Sequence, residues 1–166
     1  MIQSHATPSP ILSAAVHAAA QRSVLCWLAT VDSQGQPNVS PKEVWAIADE
    51  QHVVVANIAS PVSVRNIAQQ PRVCLSFVDV LVQKVFKLQG SARELLPTDG
   101  DYASWAAPLL AMTGDRFPVR SVLLIEVHFV QPIVAPSYWL YPEITTEASQ
   151  IDAARSTYGL HGLTGQ

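Results

Sequence analysis

The chain has 166 residues, of which 49% are hydrophobic and 14% are charged, and its formal net charge at pH 7 is −3. These values exclude a disordered chain and argue against a general nucleic-acid binder, because the ten basic residues do not cluster. No apolar run is long enough to span a membrane and the five histidines show no metal-ligand spacing, so we expect neither membrane insertion nor a structural metal.

The N-terminal part predicts one helix. A loose tail at residues 1–7 is followed by Ser9 and Pro10, a pair typical of a helix start, and the helix is expected to end near Arg22. Its apolar face would consist of Leu12, Ala15, Val16 and Ala19. Because no basic segment precedes it, this stretch does not resemble a signal peptide. Both cysteines lie in apolar runs as expected for reduced, buried thiols, and we therefore expect a cytoplasmic protein.

A β-hairpin is expected next. Residues 24–31 are apolar almost throughout, and the polar loop at residues 32–36 places Gly35 where a positive φ is needed. Pro41 interrupts the returning strand, which therefore either lies at a sheet edge or bends there. A further strand is expected over residues 44–48.

The stretch over residues 52–79 predicts a strand, a short helix and a second strand. Ser60 and Pro61 mark the helix start, and the serine oxygen is expected to accept a bond from a free backbone N–H group. Pro71 ends the helix, because the residue before a proline avoids the α region. The apolar face of this helix would consist of Val64, Ile67 and Ala68.

The remaining chain predicts a second hairpin, a helix and a last strand. A strand over residues 84–96 would carry a bulge at Gly90, and a helix would follow over residues 102–112. The last clear strand covers residues 121–130 and is expected to end before Pro132. One face of that strand would hold Leu123, Ile125, Val127 and Phe129.

These elements indicate a mainly β protein, an antiparallel β-barrel with peripheral helices, because the strands are joined by hairpins and no βαβ pattern repeats. We expect a single domain over residues 1–166. Residues 1–22 would form a tail and a helix, and residues 23–132 the barrel core with its inserted helices. Residues 133–166 would form a C-terminal tail with a helix near residues 146–156.

Polar residues surround the start of the central helix. Asn57, Ser60 and Ser63 flank its free N–H groups, and Arg65 and Asn66 follow within a turn. This pattern favours a phosphate site. An ordinary capped helix packed on a sheet has the same pattern, so both interpretations stand at this point.

Other polar and aromatic positions are also candidates for binding. Lys42 and Glu43 follow a proline that frees backbone groups for a ligand, although such a pair also occurs on a solvated strand edge. Gln83 and Lys84 lie at a strand entrance, with the same two interpretations. Trp139 follows the last strand and is free to cover a pocket. None of the common catalytic sequence motifs occurs, so the catalytic residues are unknown.

Six short segments match a known pattern in their order and spacing. They are Leu28-Ala29-Thr30-Val31-Asp32, Gly35-Gln36-Pro37, Val39-Ser40-Pro41, Ser60-Pro61-Val62-Ser63-Val64-Arg65-Asn66-Ile67, Pro71-Arg72-Val73 and Gly90-Ser91-Ala92-Arg93. Together they resemble the pyridoxamine 5′-phosphate oxidase-like, FMN-binding split-barrel family.

The resemblance implies a six-stranded split barrel that forms a homodimer, with two FMN sites at the subunit interface. The flavin ring would lie along residues 39–44, the phosphate would bind at the helix beginning near Ser60, and Gln83 and Lys84 would approach the ring from the partner side. The residues and the resemblance together give the following cofactor-binding set: Val39, Ser40, Pro41, Lys42, Glu43, Val44, Asn57, Ile58, Ala59, Ser60, Val62, Ser63, Arg65, Asn66, Gln83, Lys84 and Trp139.

The chain departs from the family pattern in its phosphate ligands. The resemblance implies an arginine at the position of Ser40 and a serine-arginine-lysine turn at residues 61–63, where this chain has Pro-Val-Ser. Lys42 and Arg65 are the nearest replacements. The C-terminal segment also lacks the basic cluster expected to bind a substrate phosphate, so we do not expect oxidation of pyridoxamine phosphate.

Three functions agree with these observations. The first is an FMN-dependent oxidoreductase acting on an unidentified small molecule. The second is a non-catalytic module that holds or carries FMN. The third is a barrel of the same fold that binds haem or a deazaflavin, or that has lost its cofactor.

Overall fold

The structure is a computed structural model that describes residues 11–160, except for the side chain of Asp115. Within these residues, seven strands form one antiparallel sheet in the order β2-β1-β5-β6-β7-β4-β3, with helices at its periphery. In chain order the elements are α1 (Ala14–Gln21), β1 (Cys26–Val31), β2 (Pro37–Lys42), β3 (Trp45–Ile47), β4 (His52–Asn57), α2 (Pro61–Gln69), β5 (Arg72–Asp79), β6 (Lys84–Leu95), α3 (Tyr102–Thr113), a 3₁₀ turn (Gly114–Arg116), β7 (Ser121–Val134), α4 (Ser137–Leu140) and α5 (Glu147–Tyr158). The expected mainly β, split-barrel class is confirmed, with one strand more than the six expected.

The first hairpin forms as its sequence predicts. Asp32 Oδ1 accepts hydrogen bonds from the backbone N–H groups of Gln34 and Gln36, and Gly35 has a φ of +84°. The returning strand β2 lies at a sheet edge, where a proline is tolerated. The expectation that Pro41 opens the ladder is wrong, because Pro41 pairs with Trp27 and the ladder continues for one more residue.

The sheet is covered on both faces. One core packs α1 against Leu28, Phe77 and Leu88, and the Trp45 and Phe77 rings lie with centroids 5.0 Å apart. The second core lies under α3, whose Leu109 is fully buried. Each fully buried Leu or Phe contributes roughly 1.5–3 kcal/mol, so these two layers fix the sheet that carries the site.

A bulge between β6 and β7 changes which residues face the core. Gly90 pairs with Val127 and Gln89 pairs with Phe129, which leaves His128 as the extra residue. A Cβ atom at Gly90 would lie 2.0 Å from the Glu126 carbonyl oxygen, so only glycine permits this approach.

The bulge overturns one predicted face. Val127 is buried with Leu123 and Ile125, but Phe129 is 54% exposed because the alternation shifts by one residue. The strand also continues past Pro132 to Val134, longer than predicted. Pro132 pairs with Phe86 in that extension.

The sequence predicts the positions of most helices better than it predicts the residues at which they begin and end. The tail at residues 1–7 and the predicted start at Ser9 and Pro10 lie outside the described residues. Helix α1 begins at Ala14, and Ala15 is exposed rather than part of the apolar face. Helix α3 continues through Pro108, and α4 is a short helix that the sequence did not predict.

Helix α5 begins at Glu147, and the side chain of its N-cap residue Thr146 forms a reciprocal capping box with Ser149. This is the start that the sequence predicted. None of the helices in the described part of the chain combines the length and apolarity that crossing a membrane requires.

Candidate functional site

Lys42 is a buried lysine at the end of β2. Its exposed fraction is 6%, and its Nζ donates a 2.6 Å hydrogen bond to Ser60 Oγ. Among the carboxylates whose side chains the structure describes, none lies within ion-pair distance of it. Burial lowers the pKa of Lys42, because desolvation disfavours the charged amine. A buried ammonium is costly unless an anion compensates it, so this position suits an anionic ligand.

The thiol of Cys26 does not supply that anion. Cys26 pairs with Lys42 across the first hairpin and is fully buried. Burial raises the pKa of the Cys26 thiol, although the charge of Lys42 opposes the change. The thiol therefore stays neutral at physiological pH and does not compensate a positive charge on Lys42.

The start of α2 differs from the predicted cap. Ser60 is the N-cap residue, but its side chain makes no capping bond and instead accepts the bond from Lys42. Asn57 Oδ1 accepts a bond from the Ser60 backbone N–H at 3.1 Å. The first N–H groups inside the helix thus donate no bond to Ser60 Oγ, and they lie at the positive end of the dipole.

The buried side of α2 is more polar than predicted. Ser63, Asn66 and Ile67 are buried, whereas Val64 is half-buried and Ala68 is exposed. The predicted face of Val64, Ile67 and Ala68 is therefore wrong in its last member. The helix packs through hydrogen bonds as well as apolar contact.

Two of those polar contacts reach the first hairpin. Ser63 Oγ lies 3.2 Å from Ser40 Oγ of β2. Asn66 Nδ2 donates to Thr30 Oγ1 of β1 at 3.1 Å, while Asn66 Oδ1 has no hydrogen-bond partner among the described protein atoms. These bonds fix the helix start relative to β2.

A cavity of about 280 Å³ opens beside Lys42 and Ser60. Its lining residues are Pro41, Lys42, Glu43, Val44, Ala56, Ile58, Ser60 and Phe117. Sequence reasoning identified most of them but missed Ala56 and Phe117. Phe117 follows the 3₁₀ turn and is 45% exposed, and only its aromatic side chain before a proline marks it in the sequence. A second cavity of about 350 Å³ shares Glu43 and is lined by Trp45 as well.

Four candidate residues are exposed and are not among those that line this cavity. Val62 and Arg65 are exposed on α2, with Val62 39% exposed. Val39 is exposed on the edge strand, and Ala59 is exposed before the helix. Ala59, Val62 and Arg65 lie near the helix start by sequence, and in the described residues none of the four makes a side-chain hydrogen bond.

The remaining three candidates lie away from Lys42 within one chain. Strands β1 and β5 separate β6, which begins at Lys84, from β2. Lys84 Nζ pairs with Glu147 Oε1 at 2.5 Å, and Trp139 on α4 is 66% exposed. Gln83 lines a mostly apolar groove of about 430 Å³. Their approach from a partner subunit remains a prediction.

The cavity beside Lys42 presents donors and a positive charge at one end and apolar side chains along its wall. Lysine, serine hydroxyls and free helix N–H groups bind phosphate, whereas Val44, Ile58 and Phe117 offer apolar contact. In the side chains that the structure describes, no group of three or more His, Cys, Asp or Glu could hold a metal ion. The arrangement can therefore hold an amphipathic organic phosphate.

Solved structures similar to this chain come from several bacteria. A variant of HupZ from Group A Streptococcus is 22% identical, with a TM-score of 0.63, covering 74% of this chain and 99% of that chain. An FMN-binding protein from Syntrophomonas wolfei is 14% identical, with a TM-score of 0.59 and coverages of 70% and 81%. HutZ, the haem storage protein from Vibrio cholerae, is 20% identical, with a TM-score of 0.54 and coverages of 69% and 87%.

At sequence identities this low, the TM-scores show a shared fold and nothing further. A search of the curated proteins finds no match. The family model described as pyridoxamine 5′-phosphate oxidase matches residues 12–133, well over half of the sequence. The chain therefore belongs to the pyridoxamine 5′-phosphate oxidase family.

Proposed function

We propose that the protein binds FMN, with the flavin phosphate beside Lys42, and acts as an oxidoreductase on a small molecule. The observation that carries this proposal is the buried Lys42 ammonium, which has Ser60 Oγ as its hydrogen-bond partner and no carboxylate of the described residues beside it. A phosphate would compensate that charge. The donor set around it fits a phosphate better than a neutral ligand.

Each end of the cavity has a distinct part in holding the flavin. Lys42, the Ser60 and Ser63 hydroxyls and the first N–H groups of α2 would bind the phosphate. Residues 39–44 would run along the ring, and Phe117 would help to exclude water. FMN, when bound, supplies the electron-transfer chemistry, while the protein orients it and controls access.

The substrate is proposed to differ from pyridoxamine phosphate. Where the family pattern has basic residues, this chain has Ser40, which bonds to Ser63, and the exposed Val62. The phosphate ligands are thus reduced to one buried cation and neutral donors. A second phosphate-bearing molecule has no comparable set of cations near Lys42 among the described residues.

We further propose a homodimer that completes the site. Exposed apolar side chains lie around the groove that contains Gln83, including Val80, Ile133 and Val134, which are 50%, 42% and 39% exposed. Covering such a surface favours association, and an obligate interface buries on the order of 2,000 Å² or more. A partner subunit would bring Gln83, Lys84 and Trp139 toward the flavin.

Haem and deazaflavin remain alternatives to FMN, and HutZ is a haem storage protein of the same fold. Haem iron takes an axial His, Cys, Met or Tyr. Among the described residues that line the Lys42 cavity, none is of these types. The residues that line the Lys42 cavity therefore favour a flavin over haem. A carrier without a substrate would hold FMN in the same way.

The purified full-length protein tests the proposal in two steps. Its absorption spectrum should show a flavin, or should acquire one when FMN is added, and mass spectrometry of the released ligand should give the mass of FMN. An enzyme should then be reduced anaerobically by a nicotinamide cofactor and reoxidised by one class of acceptor faster than by others. A haem or deazaflavin mass would overturn the FMN assignment, and reoxidation at one rate by every acceptor would favour the carrier.

A further inference from the structure

We propose that Asn57, Ser121 and Glu94 are positioning residues that orient Ser60 toward the bound phosphate, an inference that rests on the proposed FMN function. In the proposed arrangement, none of the three side chains contacts the ligand. They act by fixing the turn between β4 and α2. The sequence predicts Asn57 as a residue near the phosphate, whereas in the structure its side chain is hydrogen-bonded to Ser121 Oγ and to the Ser60 backbone N–H.

The three side chains form a hydrogen-bonded network in which Asn57 and Ser121 are buried and Glu94 is half-buried. Asn57 ends β4 and Ser121 begins β7, and they face each other in the ladder. Asn57 Nδ2 donates to Ser121 Oγ at 2.8 Å and lies 3.4 Å from Glu94 Oε1. Ser121 Oγ donates to the same Glu94 oxygen. Asn57 and Ser121 are 8% and 1% exposed, so water does not replace these partners easily.

The direction of each bond follows from the chemistry of its groups. The Glu94 carboxylate is an acceptor, so the Ser121 hydroxyl donates to it and accepts from the Asn57 amide nitrogen. That assignment leaves Asn57 Oδ1 for the Ser60 backbone N–H, 3.1 Å away. The orientation of the Asn57 amide is therefore set by Glu94 and Ser121 rather than by Ser60 alone.

The hydroxyl hydrogen of Ser60 is free to donate to a ligand. Lys42 Nζ has hydrogens and no lone pair, so Ser60 Oγ must accept in their 2.6 Å bond. The hydroxyl hydrogen of Ser60 is then left to donate to another acceptor. A phosphate oxygen in the cavity would accept from both Ser60 and Lys42. The negative charge on Glu94 polarises the network and strengthens its hold on the Ser60 backbone.

A positioning role and a purely structural role make different predictions for FMN and riboflavin, which share the ring but differ in the phosphate. If the hydrogen-bonded network of Asn57, Ser121 and Glu94 only stabilises the fold, its loss weakens the binding of both ligands by the same factor. If the network orients Ser60, its loss weakens the binding of FMN and leaves the binding of riboflavin nearly unchanged. The ratio of the two dissociation constants therefore separates the roles.

The test is a fluorescence titration of Ser121→Ala with FMN and with riboflavin, at low salt, in the full chain. The Kd for FMN is expected to rise about fivefold to tenfold, the loss associated with one net hydrogen bond, and the Kd for riboflavin less than twofold. Thr113→Val is the matched control, because Thr113 is 1% exposed and its hydroxyl bonds within its own helix to Leu109 O. This control should change neither Kd.

Glu94→Gln provides a second variant that keeps the side-chain shape and removes the charge, should Ser121→Ala fail to fold. It should shift the ratio in the same direction by about threefold. Equal changes for FMN and riboflavin, or no change in either variant, would overturn the positioning role. A wild-type protein that binds neither flavin would instead overturn the proposed function, which makes the two failures distinguishable.

Discussion

Replacing Lys42 by methionine should lower FMN affinity without lowering the stability of the ligand-free protein. Methionine has a similar length, so the buried volume is retained while the ammonium and its 2.6 Å bond to Ser60 Oγ are lost. Removing a charged hydrogen bond costs about 1.5–3 kcal/mol, which corresponds to a rise of roughly 10- to 150-fold in the Kd for FMN. The free protein loses a buried charge that has no carboxylate near it among the described residues, so its Tm should stay level or rise.

Calorimetric titration and thermal unfolding measure the two effects on the same samples. Riboflavin should bind Lys42→Met and wild type alike, because it carries no phosphate. Lys87→Met is the control, since Lys87 is a half-buried lysine on β6 outside the cavity lining. The reasoning is refuted if FMN and riboflavin weaken equally, or if the variant loses stability while FMN binding is unchanged.

Four further outcomes are expected. Val62→Lys should tighten FMN binding about fivefold at low salt, worth roughly 1 kcal/mol, and titration at high salt should show a smaller gain. FMN affinity should fall as pH rises through the pKa of Lys42, which burial lowers below the ordinary 10.5, because the ammonium becomes a neutral amine. The Lys42→Met variant should lack this loss of affinity at alkaline pH. Gly90→Ala should lower the free energy of unfolding by about 1–3 kcal/mol in denaturant titrations, because its Cβ would meet the Glu126 carbonyl, whereas Gly100→Ala meets no atom within 4 Å and should be nearly neutral. Sedimentation at micromolar protein with FMN should give a dimer, and a monomer would refute the shared site.

Local patterns predicted the elements that depend on local chemistry. Helix α2 was expected between Ser60 and Pro71 and covers Pro61–Gln69, because the serine-proline start and the proline stop act through neighbouring backbone. The Gly90 bulge was expected for the same reason. Its effect on Phe129 was not, because the extra residue lies on the opposite strand and depends on the register between β6 and β7.

Long-range contacts explain what the sequence could not provide. Ser60 was expected to cap α2, and in sequence nothing competes for its oxygen. In the folded chain the buried Lys42 ammonium takes that oxygen, because an ammonium without a partner would cost more than an uncapped N–H group at the surface. Ser121 joins Asn57 from 64 residues away, a separation that no local pattern encodes.

The central claim is that the flavin phosphate binds beside Lys42. A crystal structure of the protein with FMN measures this most directly. We expect phosphate oxygens within hydrogen-bond distance of Lys42 Nζ and Ser60 Oγ, at the start of α2. A phosphate bound elsewhere, with Lys42 still bonded to Ser60 alone, would contradict it.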